Sequence, residues 1–383
     1  MRISSIELHH IQIPFRSRFQ HALSDRRSTE AVIVVIRSDG AAAGYGEILP
    51  RKYLTGETIA RVWSEEAPAL AGMWLTASIA TSDGILEWLW QRLPCADRAP
   101  ATFSGFELAT LDLAGKLAGL RVNELLELPC GPDVPAGIVI GFEVPTSSLR
   151  KHCTTLRLMG KRHVKVKVGR ADDLQRLDAI CEVLRDGACI RIDANGAWTA
   201  REAVDALLEM RRFDLHSVEQ PVHATDLAGM RYVREQSGIR VMADESLCTL
   251  ADAHRLIDER AADIFNIRLG KCGGFLTSLR LVELARAHGL GCHMGSLVGE
   301  TGVLSSAAEM FVRSVGGFDC LEGKGQSTFL LEQDVCEPAA SPAERWPSHG
   351  FGAHVRADRL EKFKVSEPLI FRAATSRSWP HAS

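Results

Sequence analysis

Between residues 163 and 246 the chain reads HVKVKVG (163–169), CIRIDAN (189–195), HSVEQP (216–221) and VMADES (241–246). Each is a short apolar run that ends in polar or charged residues. Lys167, Asp193, Glu219 and Asp244 follow one another at intervals of 26, 26 and 25 residues. A strand, a crossover helix and two loops consume a length of this order, so the rhythm is one charged side chain per βα repeat. Asp193, Glu219 and Asp244 are therefore expected at the C-terminal ends of adjacent parallel strands, converging on one point. A single acidic residue at a strand end is more often a helix N-cap or a surface group, but three in register reverse that reading. Converging carboxylates need a cation, and oxygen-only ligands favour a hard ion, Mg²⁺ first and Mn²⁺ as the alternative.

Outward from this stretch the same alternation continues. AGIVIGF precedes it, DIFNIRL, GCHMGS and FDCLEG follow it, and helical segments such as TAREAVDALLEMRRF and FLTSLRLVELARAHG separate the runs. Eight βα units close into a barrel. The expected fold is α/β, a modified (β/α)₈ barrel over residues 129–355 with an N-terminal α+β capping domain over 1–128. The cap carries two alternating strand patterns, SSIELHHIQIPF and TEAVIVVIRSD, followed by helices. Residues 356–383 leave the barrel pattern and contain KFKVSEPLIF, expected to pack back on the cap. In HVKVKVG, alternation sends Lys165 and Lys167 to one side of the strand, into the barrel. Two ammonium groups held close together lower each other's pKa, which makes a lysine usable as a base near neutral pH.

The bulk composition points to small-molecule chemistry. The 383 residues include 45 basic and 48 acidic side chains, a net charge of −3, with no basic stripe for nucleic acid. No apolar run approaches a membrane span, and the N-terminal MRISSIELHHIQIPF alternates like a strand instead of reading as a signal peptide. Ten cysteines without a CxxC pair suggest reduced thiols and a cytoplasmic location. Barrels of this kind commonly assemble symmetrically, so a homo-oligomer is expected.

The motifs KVK, IDAN, EQP and ADE, in this order and spacing, resemble the enolase superfamily, and within it the muconate-lactonizing-enzyme subgroup of the mandelate racemase/muconate lactonizing enzyme family. Sites of that superfamily set a lysine or histidine base beside Mg²⁺, which stabilises an enediolate. The resemblance implies that Asp193, Glu219 and Asp244 bind Mg²⁺, that Lys167 removes a proton α to the carboxylate of a small substrate, and that Lys165 assists it. It also implies that Asn195 orients a ligand carboxylate or a water. One position departs from the subgroup. Where members commonly carry a second lysine on the opposite face, FNIRLGKCGG places Arg268, and Lys271 matches the other lysine of the turn.

A guanidinium stays protonated and makes a poor base, though it can bind a carboxylate or neutralise an enolate. Racemisation needs a proton acceptor on each face, so the expectation leans to cycloisomerisation or β-elimination with Lys167 as the one lysine base. The alternatives are a racemase or epimerase of amino acid derivatives or dipeptides, and a metal-binding homologue without turnover. His293 and Glu322, at the ends of the seventh and eighth strands, are the further candidates for acid chemistry. The cap is expected to close over the barrel mouth and set specificity, with His21 and Tyr53 on its two polar loops as substrate contacts. Arg16, Arg18, Arg51 and Lys52 on the same loops suggest a second anionic group on the substrate.

Overall fold

Alternating apolar residues near the N-terminus build the first two strands of an antiparallel sheet, β1 (Ile3–His21) and β2 (Ser24–Ser38), paired in a long hairpin. The computed structural model describes residues 2–21, 24–40, 42–77, 82–184, 187–337 and 349–373, without the side chains of 19–21, 24–25 and 82–83. A third strand, β3 (Ala43–Ile48), pairs with β2. It is absent from the sequence reading because AGYGEI carries two glycines and little β propensity. Both glycines are required by the helix Pro100–Ala118, whose backbone lies directly on the strand. A Cβ on Gly44 would collide with the Ala109 carbonyl, and one on Gly46 with the Gly105 carbonyl. Pro100 opens that helix, Glu57 accepts the N–H groups of Ala101 and Thr102 at 2.8 Å each, and Gly119 ends it with φ of 67°.

The barrel follows as β4 (Ala136–Ile140), β5 (His163–Lys167), β6 (Cys189–Asp193), β7 (Ser217–Glu219), β8 (Val241–Ala243), β9 (Ile264–Ile267), β10 (Gly291–Met294) and β11 (Leu321–Glu322). All neighbours are parallel, and the ring closes in the order β10-β11-β4-β5-β6-β7-β8-β9. The eight runs expected from the sequence are these eight strands. A last strand, β12 (Leu369–Arg372), returns to pair antiparallel with β1, so the cap sheet has the order β12-β1-β2-β3.

Buried carboxylates join the cap to the barrel. Glu47 on β3 accepts the Thr301 N–H at 3.1 Å and its hydroxyl at 2.7 Å, at the start of the helix Gly302–Val315. Glu107, in the long cap helix, accepts the N–H groups of Phe275 at 3.0 Å and Leu276 at 2.7 Å, at the start of the helix Gly274–Ala287. Helix N-termini carry backbone N–H donors that have no acceptor within the helix, and in a parallel barrel they lie at the C-terminal ends of the strands. The cap is thereby fixed over the barrel mouth. All ten thiols are unpaired, and among the described residues no helix is long and apolar enough to cross a membrane.

Candidate active site

Strand register assembles the mouth. Lys167 pairs with Asp193 and Asp193 with Glu219 across β5, β6 and β7, while Asp244 follows β8 directly. Asp193, Glu219 and Asp244 are all fully buried. Arg268 follows β9, which stands four places from β5 in the ring of eight, so Lys167 and Arg268 face each other across the barrel. A small depression at the mouth is lined by Tyr53 from the cap and by Lys167, Asn195, Glu245, Arg268 and Ser296 from the barrel, among others. The side chain of His21 lies outside the described residues.

Each acid is matched by a cation. The Lys167 ammonium donates to Asp193 Oδ2 and to Asn195 Oδ1, both at 2.6 Å. Lys165 Nζ lies 3.2 Å from Asp193, 3.2 Å from Glu219 and 2.7 Å from Glu322. Arg268 reaches Glu219 Oε1 at 3.2 Å and pairs more closely with Asp244. Burial alone would raise the pKa of Asp193, but Lys167 and Lys165 outweigh it and hold the carboxyl below its ordinary value. For Glu219 burial prevails, reinforced by the charge of Asp193, and its pKa is raised.

Several expectations are corrected by this arrangement. Burial disfavours the Lys165 ammonium, yet Glu219, Glu322 and Asp193 more than compensate and hold its pKa above that of an ordinary lysine; the two lysines do not simply depress each other. Burial likewise opposes ionisation of Glu322, but Lys165, with His293 and Arg191, keeps it well below the usual carboxylate range, which fits an anchor better than a proton donor. His293 is buried with its Nε2 3.6 Å from Glu322 Oε2, and burial together with Arg191 outweighs that carboxylate and pushes its pKa down to about 3. These surroundings favour the neutral imidazole over the charged one. Lys271 is fully buried and donates to the carbonyls of Asp244, at 2.7 Å, and Leu247, so it braces the loop after β8 instead of meeting substrate.

Two of the loop cations are also structural. Arg16 donates to the carbonyls of Leu331 and Glu332 at 2.8 Å each, and Arg51 is buried with bonds to the Pro50 and Val298 carbonyls.

Three residues were missed by the sequence reading. Arg191 donates to Glu322 Oε2 at 3.0 Å and Asn266 to Glu219 Oε1 at 2.9 Å. Both lie within barrel strands, Arg191 on β6 two residues before Asp193 and Asn266 on β9, where the pleat turns them inward. Glu245 is the third. Burial and the neighbouring charges of Asp244 and Asp193 push its pKa up to about 8, and its Oε1 accepts from Asn195 Nδ2 at 2.9 Å. The second carboxylate of VMADES was its signal.

Asp193, Glu219 and Asp244 have the donor chemistry for a hard divalent cation: oxygen only, fully buried, on three successive strand ends, with Asp244 Oδ1 making no hydrogen bond. Among the described residues, however, no three acidic, histidine or cysteine side chains are already gathered around one point. Lys165 and Arg268 lie between the carboxylates, and an ion entering there would take over oxygens that these cations now hold.

A closed parallel barrel with charged residues at the C-terminal strand ends, under a fixed cap, defines a class of barrel enzymes whose chemistry sits at that mouth. A family model described as enolase C-terminal domain-like matches residues 148–358. The chain belongs to the enolase superfamily, in the mandelate racemase/muconate lactonizing enzyme family, whose matched relatives are isomerases. The hydrophobic dipeptide epimerase of Enterococcus faecalis is 32% identical over 313 residues, covering 80% of this chain and 86% of the relative. The chloromuconate cycloisomerase of Cupriavidus pinatubonensis is 26% identical over 323 residues, covering 81% and 84%. Among solved structures, the dipeptide epimerase of Enterococcus faecalis complexed with Mg and the dipeptide L-Leu-L-Tyr matches with a TM-score of 0.81 at 28% identity, over 92% of this chain and all of that one.

Proposed function

We propose that the protein is a Mg²⁺-dependent isomerase or lyase that removes the α-proton of a small carboxylate substrate from one face, using Lys167 as the base. The observation that carries this reading is the pair Lys167 and Arg268 at diametrically opposed strand ends, facing one depression. An amine on one face can accept and return a proton; a guanidinium on the other cannot accept one and serves as a fixed positive charge. Cycloisomerisation and syn β-elimination need proton transfer on one face only, and Arg268 is suited to neutralise charge that develops on the substrate carboxylate.

Asp193, Glu219 and Asp244 would hold the divalent ion, Mg²⁺ before Mn²⁺, which supplies charge neutralisation for the substrate carboxylate. The chain's own residues do the rest. Asp193 and Asn195 hold the Lys167 Nζ in place and accept hydrogen bonds from the ammonium that forms once it has taken the proton. Lys165, pinned by three carboxylates, adds fixed positive charge below the reacting centre. Tyr53 closes one side of the depression from the cap, where exclusion of water strengthens these interactions.

A second reading, epimerisation, is favoured by the dipeptide epimerase relatives. It needs a proton carrier on the Arg268 side, and the residues that line that side offer none with the character of a lysine.

The test is α-proton exchange in D₂O with Mg²⁺, followed by ¹H NMR over dipeptides, N-acyl amino acids, acid sugars and cis,cis-muconates. Lys167→Ala is expected to lower exchange and turnover by about 10⁴-fold while Mg²⁺ binding is retained. Wild-type exchange surviving in that variant would remove Lys167 from the role of base.

A further inference from the structure

We propose that Glu245 is a positioning residue for Lys167 that acts through the amide of Asn195; the proposal rests on the reading of Lys167 as the base. The three side chains form one hydrogen-bonded line across the ends of β5, β6 and β8. Lys167 Nζ donates to Asn195 Oδ1 at 2.6 Å, and Asn195 Nδ2 donates to Glu245 Oε1 at 2.9 Å.

The line has a fixed direction. An ammonium has only donors, so Asn195 must turn its oxygen to Lys167, and its NH₂ then points the other way and requires an acceptor. Glu245 Oε1 is that acceptor, and a carboxyl oxygen accepts whether or not the group is ionised. The bond to Asn195 is the single hydrogen bond that the Glu245 side chain makes among the described residues, and its other oxygen, Oε2, is buried without a partner. Glu245 is therefore not a general brace for the loop. Its polar contact serves the orientation of one amide.

The backbone is shaped to the same end. Asn195 adopts φ of 48°, a left-handed conformation that asparagine tolerates better than most residues, and its own N–H is tied to Asp193 Oδ1 at 2.9 Å. This turn carries the side chain back over the strand end to stand between the other two. Held in this way, the amide oxygen keeps the Lys167 Nζ at a set place beside Asp193, and displacement of a reacting group by about 1 Å can cost a hundredfold in rate.

The experiment reads Lys167 itself, so it needs no known substrate. In ¹⁵N-lysine protein, with and without Mg²⁺, the ζ-ammonium signal of Lys167 is assigned by its loss in Lys167→Arg, and the solvent exchange of its hydrogens is measured. Glu245→Leu removes the acceptor and is expected to speed that exchange about tenfold, the equivalent of one buried hydrogen bond. Asn195→Ala is expected to match it, and the double variant to go no further than Asn195→Ala alone, the pattern of residues acting in series. Glu245→Gln keeps an acceptor oxygen and is expected to restore most of the protection; Glu245→Ala is read in the same cycle if the leucine variant does not fold.

Unchanged exchange in the Glu245 variants, full additivity with Asn195→Ala, or a wild-type ammonium too labile to observe each overturns the proposal. None of these touches the assignment of the base, which stands or falls on α-proton exchange in Lys167→Ala.

Discussion

Replacing Arg268 with methionine probes the charge balance at the barrel mouth. The guanidinium serves two fully buried carboxylates, Glu219 at 3.2 Å and Asp244 closer still. Removing one partner of a buried pair costs about 3–5 kcal/mol, because the remaining charge is left uncompensated. Lys165 still faces Glu219 at 3.2 Å and Lys271 still faces Asp244 at 3.3 Å, so the lower end of that range applies. Methionine fills most of the volume of the arginine stem, which keeps cavity formation out of the comparison. At roughly 2 °C per kcal/mol for a chain of this size, a loss of about 3 kcal/mol lowers Tm by about 6 °C. The assay is thermal unfolding followed by circular dichroism, in EDTA and again in millimolar Mg²⁺. A divalent ion held by Asp193, Glu219 and Asp244 replaces the missing charge and no longer competes with the guanidinium, so Mg²⁺ is expected to raise the variant's Tm by more than the wild type's. A variant that melts with the wild type in EDTA refutes Arg268 as the counter-ion. Equal Mg²⁺ increments in the two proteins refute the placement of the ion at these carboxylates.

The same position separates the two functional readings. Arg268→Lys puts an amine on the second face; solvent deuterium is expected to enter the substrate with one stereochemistry in the wild type and with both in the variant, chiral analysis of the exchanged substrate decides, and two-faced exchange in the wild type sinks the one-face mechanism. Stability carries a pH signature from the carboxylates that join cap and barrel. Burial raises the pKa of Glu107 to about 8 and of Glu47 to about 7, above the ordinary carboxylate value. A raised folded pKa means that the neutral acid is favoured in the fold, so the contribution is intact below the unfolded pKa and is lost as pH climbs through 7 to 8. Tm at constant ionic strength is therefore expected to fall between about pH 5 and pH 8, and less steeply in Glu107→Gln; a flat or rising Tm in the wild type contradicts this.

What the sequence made legible and what it hid follow from how far each inference had to reach. The eight barrel strands were readable because each is a local event: an apolar run, a polar terminus and a helix of the right length, repeated. β3 was hidden because its two glycines answer to a helix far away in the chain, Pro100–Ala118, and not to the strand's own pairing. Lys165 and Lys167 were correctly placed on one side of β5, but their electrostatics depend on Glu322, which arrives only when β11 closes the ring beside β4. Arg16 and Arg51 read as free cations because a sequence shows donors and does not show which distant carbonyls they will cap.

Glu245 marks a different boundary. In VMADES, strand alternation that sends Asp244 into the barrel sends the next residue out of it, and a reading by period 2 discards Glu245. But β8 ends at Ala243, so neither acid belongs to the strand proper, and the chain is free to turn both toward the mouth. Asn195 lies likewise beyond the end of β6, in a left-handed conformation that no alternation rule describes. The side chains that alternation does describe, Lys165, Arg191, Asp193, Glu219 and Asn266, form the floor and walls of the site. Those just past the strand ends, Asn195, Asp244, Glu245 and Arg268, form its rim. In this fold the periodic part of the sequence specifies where a charged centre can be built, while the residues immediately after each strand, released from the pleat, add the atoms that rim the depression at its mouth. A substitution such as arginine for lysine at residue 268 can thus alter the chemistry of the rim and leave every strand in register.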